Sequence, residues 1–130
     1  EAVGETPVSQ ALGSAQTFNA VSTSYTVTTF DSSSNKIVVI FKDNGGSGYG
    51  VAVVGTVSGT SISFGSETTF AAVNISYIAA TFDSTNNKIV IAYRNGSNSN
   101  YGTAIVGTVS GTSISFGSAV VFESASSLYI

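Results

Sequence analysis

Two runs, Ile37-Val38-Val39-Ile40-Phe41 and Ile89-Val90-Ile91-Ala92-Tyr93, are apolar at every position, and polar turn residues bracket each of them. A short run that sends apolar groups to both sides predicts a strand that must be covered on both faces. Each run follows a shorter candidate strand, over residues 25–30 and 77–82, that ends in Asp31-Ser32-Ser33-Ser34-Asn35 or Asp83-Ser84-Thr85-Asn86-Asn87. Asp and Asn bond their own backbone and tolerate left-handed conformations, so these segments predict hairpin turns. The second strand spans 36–42 and 88–94. Beyond a loop rich in Gly, Ser and Asn, a third strand over 50–57 and 102–109 is apolar on both faces in its first half. A Ser-Gly turn returns it as a fourth, over 60–64 and 112–116. There Ser61, Ile62, Ser63 and Phe64 alternate, which predicts one dry face, one wet face and an outer position.

These patterns occur twice because the chain repeats. Residues 19–70 align without a gap on residues 71–122, an offset of 52, with 30 identities; the longest is GTVSGTSISFGS, at 55–66 and 107–118. The phase continues outward. Leu12-Gly13-Ser14 and Phe18 match Phe64-Gly65-Ser66 and Phe70, and Ser127-Leu128-Tyr129-Ile130 matches Ile75-Ser76-Tyr77-Ile78. The organisation expected is therefore a partial repeat over 1–18 ending in a last strand, full repeats over 19–70 and 71–122, and a partial repeat over 123–130 opening a first strand. With Glu1 first and no Met, the chain reads as a segment of a longer precursor. Doubly buried strands grading into a half-exposed one, about every 50 residues, are what radially packed four-stranded antiparallel blades need. The expectation is an all-β, propeller-like fold. A stacked β-sheet repeat or β-solenoid is the alternative.

Composition narrows the chemistry. Leu occurs only at Leu12 and Leu128 and Met is absent, which together with the Val, Ile, Phe, Tyr and Thr content leaves almost no helix to expect. The net charge is −3, and the four basic residues fall in two equivalent short stretches, so there is no electrostatic footprint for nucleic acid. No stretch approaches the ~18 consecutive apolar residues of a membrane span, and membrane insertion is not expected. The absence of His and Cys removes the commonest general base, the commonest transition-metal ligand and any disulfide.

The segment Tyr77-Ile78-Ala79-Ala80-Thr81-Phe82-Asp83, followed by Asn87-Lys88-Ile89-Val90-Ile91-Ala92-Tyr93, resembles the strand-turn-strand of Kelch-like and sialidase-like propeller blades. It is also similar to long tandem repeats of bacterial and phage surface proteins. The resemblance implies a fold and no site, because the double glycine of Kelch repeats and the Ser-x-Asp-x-Gly-x-x-Trp box of sialidase repeats are both absent.

No catalytic residue is expected. Asp31 and Asp83 read as turn formers, Asp43 becomes Asn95 in the second unit and Glu67 becomes Ala119, so no convergent carboxylate pair of the glycosidase kind can be proposed. The loop at Asp43 offers one carboxylate and its mate none, so neither a metal nor any cofactor is expected. What remains is recognition. The loop between the second and third strands is where the units differ most, and each copy ends in Tyr49 or Tyr101 after Lys42 or Arg94; with Asn44 and Asn95 these make a candidate glycan surface of aromatic, amide and cationic groups. Near-identical repeats and low charge favour assembly over turnover. The functional expectation is a non-catalytic extracellular, cell-surface or virion-surface building block, structural or adhesive, that self-associates as an oligomer, filament or longer array. A lectin-like propeller is the alternative.

Overall fold

The structure, a computed structural model, describes residues 11–130. The part of the expected first partial repeat at 1–10 lies outside the described residues. Ten strands form: β1 (Thr23–Asp31), β2 (Lys36–Asp43), β3 (Tyr49–Ser58), β4 (Ser61–Phe64), β5 (Thr68–Ala71), β6 (Ile75–Asp83), β7 (Lys88–Asn95), β8 (Tyr101–Ser110), β9 (Ser113–Phe116) and β10 (Val120–Ser126). Among the described residues there is no helix. The protein is all-β, and its strands make two antiparallel five-stranded sheets, β1–β5 and β6–β10.

The turns form for the reasons their sequences give. Asp31 Oδ1 accepts hydrogen bonds from Ser33 N (2.9 Å), Ser34 N (3.1 Å) and Ser33 Oγ (2.6 Å), and Asn35 closes the hairpin at φ 58°. In the second sheet Asp83 Oδ1 accepts from Thr85 N and Asn86 N, with Asn87 at φ 54°. Between β3 and β4 the loop is Gly59-Thr60, Gly59 taking φ 61°, and Gly111 repeats this at 62°. A left-handed first residue is what a two-residue hairpin of the II′ kind requires.

The fourth strand differs from the expected one by being broken. β4 pairs with the second half of β3, from Gly55 to Ser58, while β5 pairs with its first half, from Gly50 to Ala52. Gly65 N bridges the gap by donating to Val54 O at 2.9 Å, and Gly117 N does the same to Val106 O. The sequence shows no β5 because Gly65-Ser66-Glu67 reads as the start of a loop and Thr68-Thr69-Phe70-Ala71 is too short to show a period. β10 is its counterpart along β8. At the C-terminus, where a first strand is expected, β10 ends at Ser126 and residues 127–130 lie in no strand.

Register places the core. Val38 lies opposite Val54 and Ile40 opposite Ala52, so these four share one face of the first sheet. That face packs on Ile89, Ile91, Tyr93 and Ile105 of the second sheet. The other face of the first sheet carries Val39, Phe41, Val51 and Val53, and Phe18 and Phe64 pack against it. β2 is thus covered on both sides, as its sequence requires. Among the described residues β7 is fully covered on one side, that of Ile89, Ile91 and Tyr93, while Val90 and Ala92 on the other stay half-buried.

Candidate functional site

The edge where the two sheets meet carries a ladder of tyrosines. Register slips between Ser24 and Val27 in β1 and between Ser76 and Ala79 in β6, and inside each slip a tyrosine takes a left-handed backbone, Tyr25 at φ 50° and Tyr77 at φ 51°. A bulky residue there is strained by roughly 1–3 kcal/mol. The bulge re-aims the ring out of the sheet alternation, and the rings then stack on one another. Tyr25 and Tyr77 have centroids 5.1 Å apart, and Tyr77 and Tyr129 are also 5.1 Å apart. Lys42 Nζ lies 6.0 Å from the Tyr25 centroid and Arg94 Cζ 5.6 Å from that of Tyr77, within cation–π range. Sequence reasoning passed over these tyrosines. Their signal is the recurrence of Tyr at 25, 77 and 129, one repeat apart.

The glycan candidates fall into two equivalent loops rather than one cluster. Lys42 and Asn44, with Gly46, Ser47, Gly48 and Asn74, line an open depression of about 310 Å³. The Asn44 amide donates to Ser24 Oγ at 3.1 Å, so its side chain is engaged by β1. Asp43 Oδ1 accepts from Gly45 N at 2.8 Å and Asn95 Oδ1 from Ser97 N at 3.0 Å, so the exchange of Asp for Asn preserves the same turn. Tyr49 and Tyr101 open β3 and β8 opposite Asp43 and Asn95, while the cations Lys42 and Arg94 sit over the other tyrosines, Tyr25 and Tyr77. The loops also sew neighbouring units together. Ile75 N donates to Gly48 O at 3.0 Å, and one repeat later Ser127 N donates to Asn100 O at 2.8 Å.

The second constellation is the far face of the second sheet. Val90 lies opposite Val106 and Ala92 opposite Ala104, the register of the buried face of the first sheet carried on by 52 residues. Val54 is 0% exposed and its mate Val106 43%; Phe70 is 8% exposed and its mate Phe122 57%; Ile78 is 7% exposed and its mate Ile130 37%. No family model, curated protein or solved structure matches the chain. The internal repeat sets each exposed residue of this face beside its buried mate.

The titratable groups follow the same division. Burial works against the Asp31 carboxylate, but hydrogen bonds from Ser33 and Ser34 outweigh it and hold its pKa below the ordinary value. Asp83 is lowered by its bonds from Asn86 and Thr85. Tyr93 is pushed up by burial. Among the described residues no three of His, Cys, Asp and Glu gather as a metal site, and no helix is long and apolar enough to cross a membrane.

Proposed function

We propose that this protein is a non-catalytic, self-associating structural or adhesive building block, displayed outside the cell or on a virion, whose sheets are the blades of a propeller-like array. The observation that carries the reading is the translated interface: a face that is dry between the first and second sheets recurs, partly exposed and with no sheet over it among the described residues, on the second sheet. A heterologous contact of this kind joins successive units head to tail, and it either closes a ring or extends a filament. The propeller form is supported by the sheet order, in which the chain leaves the outer β5 and re-enters at β6, a first strand, and by the close approach of β1 to β6 between the sheets. Sedimentation velocity across the micromolar range tests the reading. Growth in mass with concentration is expected, and a cooperatively folded 13 kDa monomer throughout would refute it.

The lectin-like alternative draws on one observation, the polar depression beside Lys42, Asn44 and Asn74. A glycan array decides it: specific binding lost in the Lys42→Ala, Asn44→Ala double variant favours the lectin, and an array without binding removes it. In either reading glycosides, esters and peptides are not turned over. Reproducible hydrolysis abolished by Glu67→Gln would overturn that.

A further inference from the structure

The chain already contains an imitation of the contact its open face lacks. Phe18 packs on Phe41 (5.1 Å between centroids) and Phe64 (6.0 Å), and one repeat later Phe70 packs on Tyr93 (5.4 Å) and Phe116 (5.7 Å). Phe18 thus sits on the first sheet as Phe70, at the first sheet's own outer edge, sits on the second. The glycines agree. No side chain fits at Gly13, because the Thr60 carbonyl lies where its Cβ would be, and none fits at Gly65 because of the Thr112 carbonyl. Gly117 is the third member of this series, and a Cβ added there meets only Val106 O at 3.9 Å. Its backbone φ is not in the left-handed range, so neither turn geometry nor crowding among the described residues requires a glycine at this position.

The two ends also match each other. Leu12-Gly13-Ser14-Ala15-x-x-Phe18 and Phe116-Gly117-Ser118-Ala119-x-x-Phe122 are 104 residues apart, two repeats, and share Gly, Ser, Ala and Phe at the same spacing. We propose that the open face of the second sheet docks the first sheet of a second copy of this chain by segment exchange: Gly117–Phe122 of one copy takes the place that Gly13–Phe18 of the next copy holds on itself. Val39, Phe41, Val51 and Val53 are at most 5% exposed in the single chain, so once the segment that packs on them through Phe18 is displaced, Val90, Ala92, Ala104 and Val106 cover them, as Val38, Ile40, Ala52 and Val54 cover the second sheet within one chain. Gly117 meets the Thr60 turn of the incoming copy, and Phe122 replaces Phe18 against Phe41 and Phe64. The segment around Phe18 is a self-cap, and it competes with assembly.

This inference rests on the assembly reading and names its contact, so the experiment separates the two. The intact chain and the variants Gly117→Val, Phe18→Ala and their combination are compared by sedimentation velocity, with circular dichroism confirming the fold of each. Gly117→Val alters no buried contact of the monomer, and it is expected to abolish association. Phe18→Ala weakens the cap and is expected to tighten association by about tenfold, since it removes part of an aromatic contact that the partner's Phe122 restores. The combination returns to monomer. Association of the intact chain that Gly117→Val leaves unchanged overturns the exchange and leaves assembly standing. A monomeric intact chain whose Phe18→Ala form associates through Gly117 supports the exchange and overturns assembly of the capped chain. Monomer in every sample overturns both.

Discussion

Val54 and Val106 are the same residue at the same place in the repeat, one fully enclosed between two sheets and the other on the open face. Replacing each with alanine isolates the packing between sheets. At Val54 two methyl groups leave a closed interior, which at about 0.8 kcal/mol per buried carbon is about 1.6 kcal/mol of transfer energy. The cavity between Val38, Ala52 and the second sheet adds to this, for a total of roughly 2–3 kcal/mol. Val106 is already 43% exposed and no cavity can close over the gap, so the cost falls below about 1 kcal/mol. The measurement is urea unfolding of both variants at a concentration where sedimentation shows a monomer, analysed as a two-state transition with the slope checked for constancy. Equal losses in the monomer would refute the argument, since they would mean that the Val106 face is covered within a single chain. A Val106→Ala penalty that grows with concentration would report the face being covered by another copy.

Two predictions concern pH. The Asp31 carboxylate has a lowered pKa in the folded protein, so its contribution is complete above the ordinary carboxylate value and is lost as pH falls through the folded one; acid melts of Asp31→Asn should show a shallower decline below about pH 4 than the parent, and parallel curves would contradict this. Tyr93 has a raised pKa, so its contribution is complete below about pH 10 and is lost as pH climbs toward the folded value. Tyr93→Phe, which installs the residue found at its mate Phe41, should flatten the alkaline limb of the melting curve, and an unchanged limb would rule Tyr93 out as its source.

The sheets were legible because their signals are local. The apolar runs at 37–41 and 89–93, the Asp and Asn turns and the Ser-Gly returns each specify one strand or one reversal, and four of the five strands in each sheet follow from them. β5 and β10 were not legible, because their pairing with the first half of β3 and β8 depends on Gly65 and Gly117 bridging a break, a long-range event with no local pattern. The candidate loop residues were legible as exposed, variable polar groups, yet their partners were not. That Lys42 and Arg94 turn to Tyr25 and Tyr77 follows from two bulges, and the residues Ser24, Tyr25, Thr26 and Val27 carry no sign that the register slips among them.

The differences between the two units, rather than their identities, say how strong a contact between copies can be. Within the chain the sheets meet through Ile40 on one side and Ile91, Tyr93 and Ile105 on the other. Across a docking of two copies the corresponding positions are Ala92 against Val39, Phe41 and Val53. Ile40 to Ala92 removes three carbons, Ile91 to Val39 one and Ile105 to Val53 one, while Tyr93 to Phe41 removes none. These exchanges remove apolar carbons at the centre of the contact, at about 0.8 kcal/mol each, so a contact between copies is expected to be weaker than the one within the chain. The small side chains also leave a depression of about 170 Å³ at Ala79, Ala80, Thr81, Val90 and Ala92, where the first sheet presents Ile40 and Val27. Trimming the exposed face to alanine lowers the apolar area that a free chain shows to water while keeping its register. On the proposed docking, a repeat built in this way is expected to stay folded when diluted and to associate reversibly when concentrated, with displacement of the Phe18 segment as a second brake; association that does not reverse on dilution would contradict this.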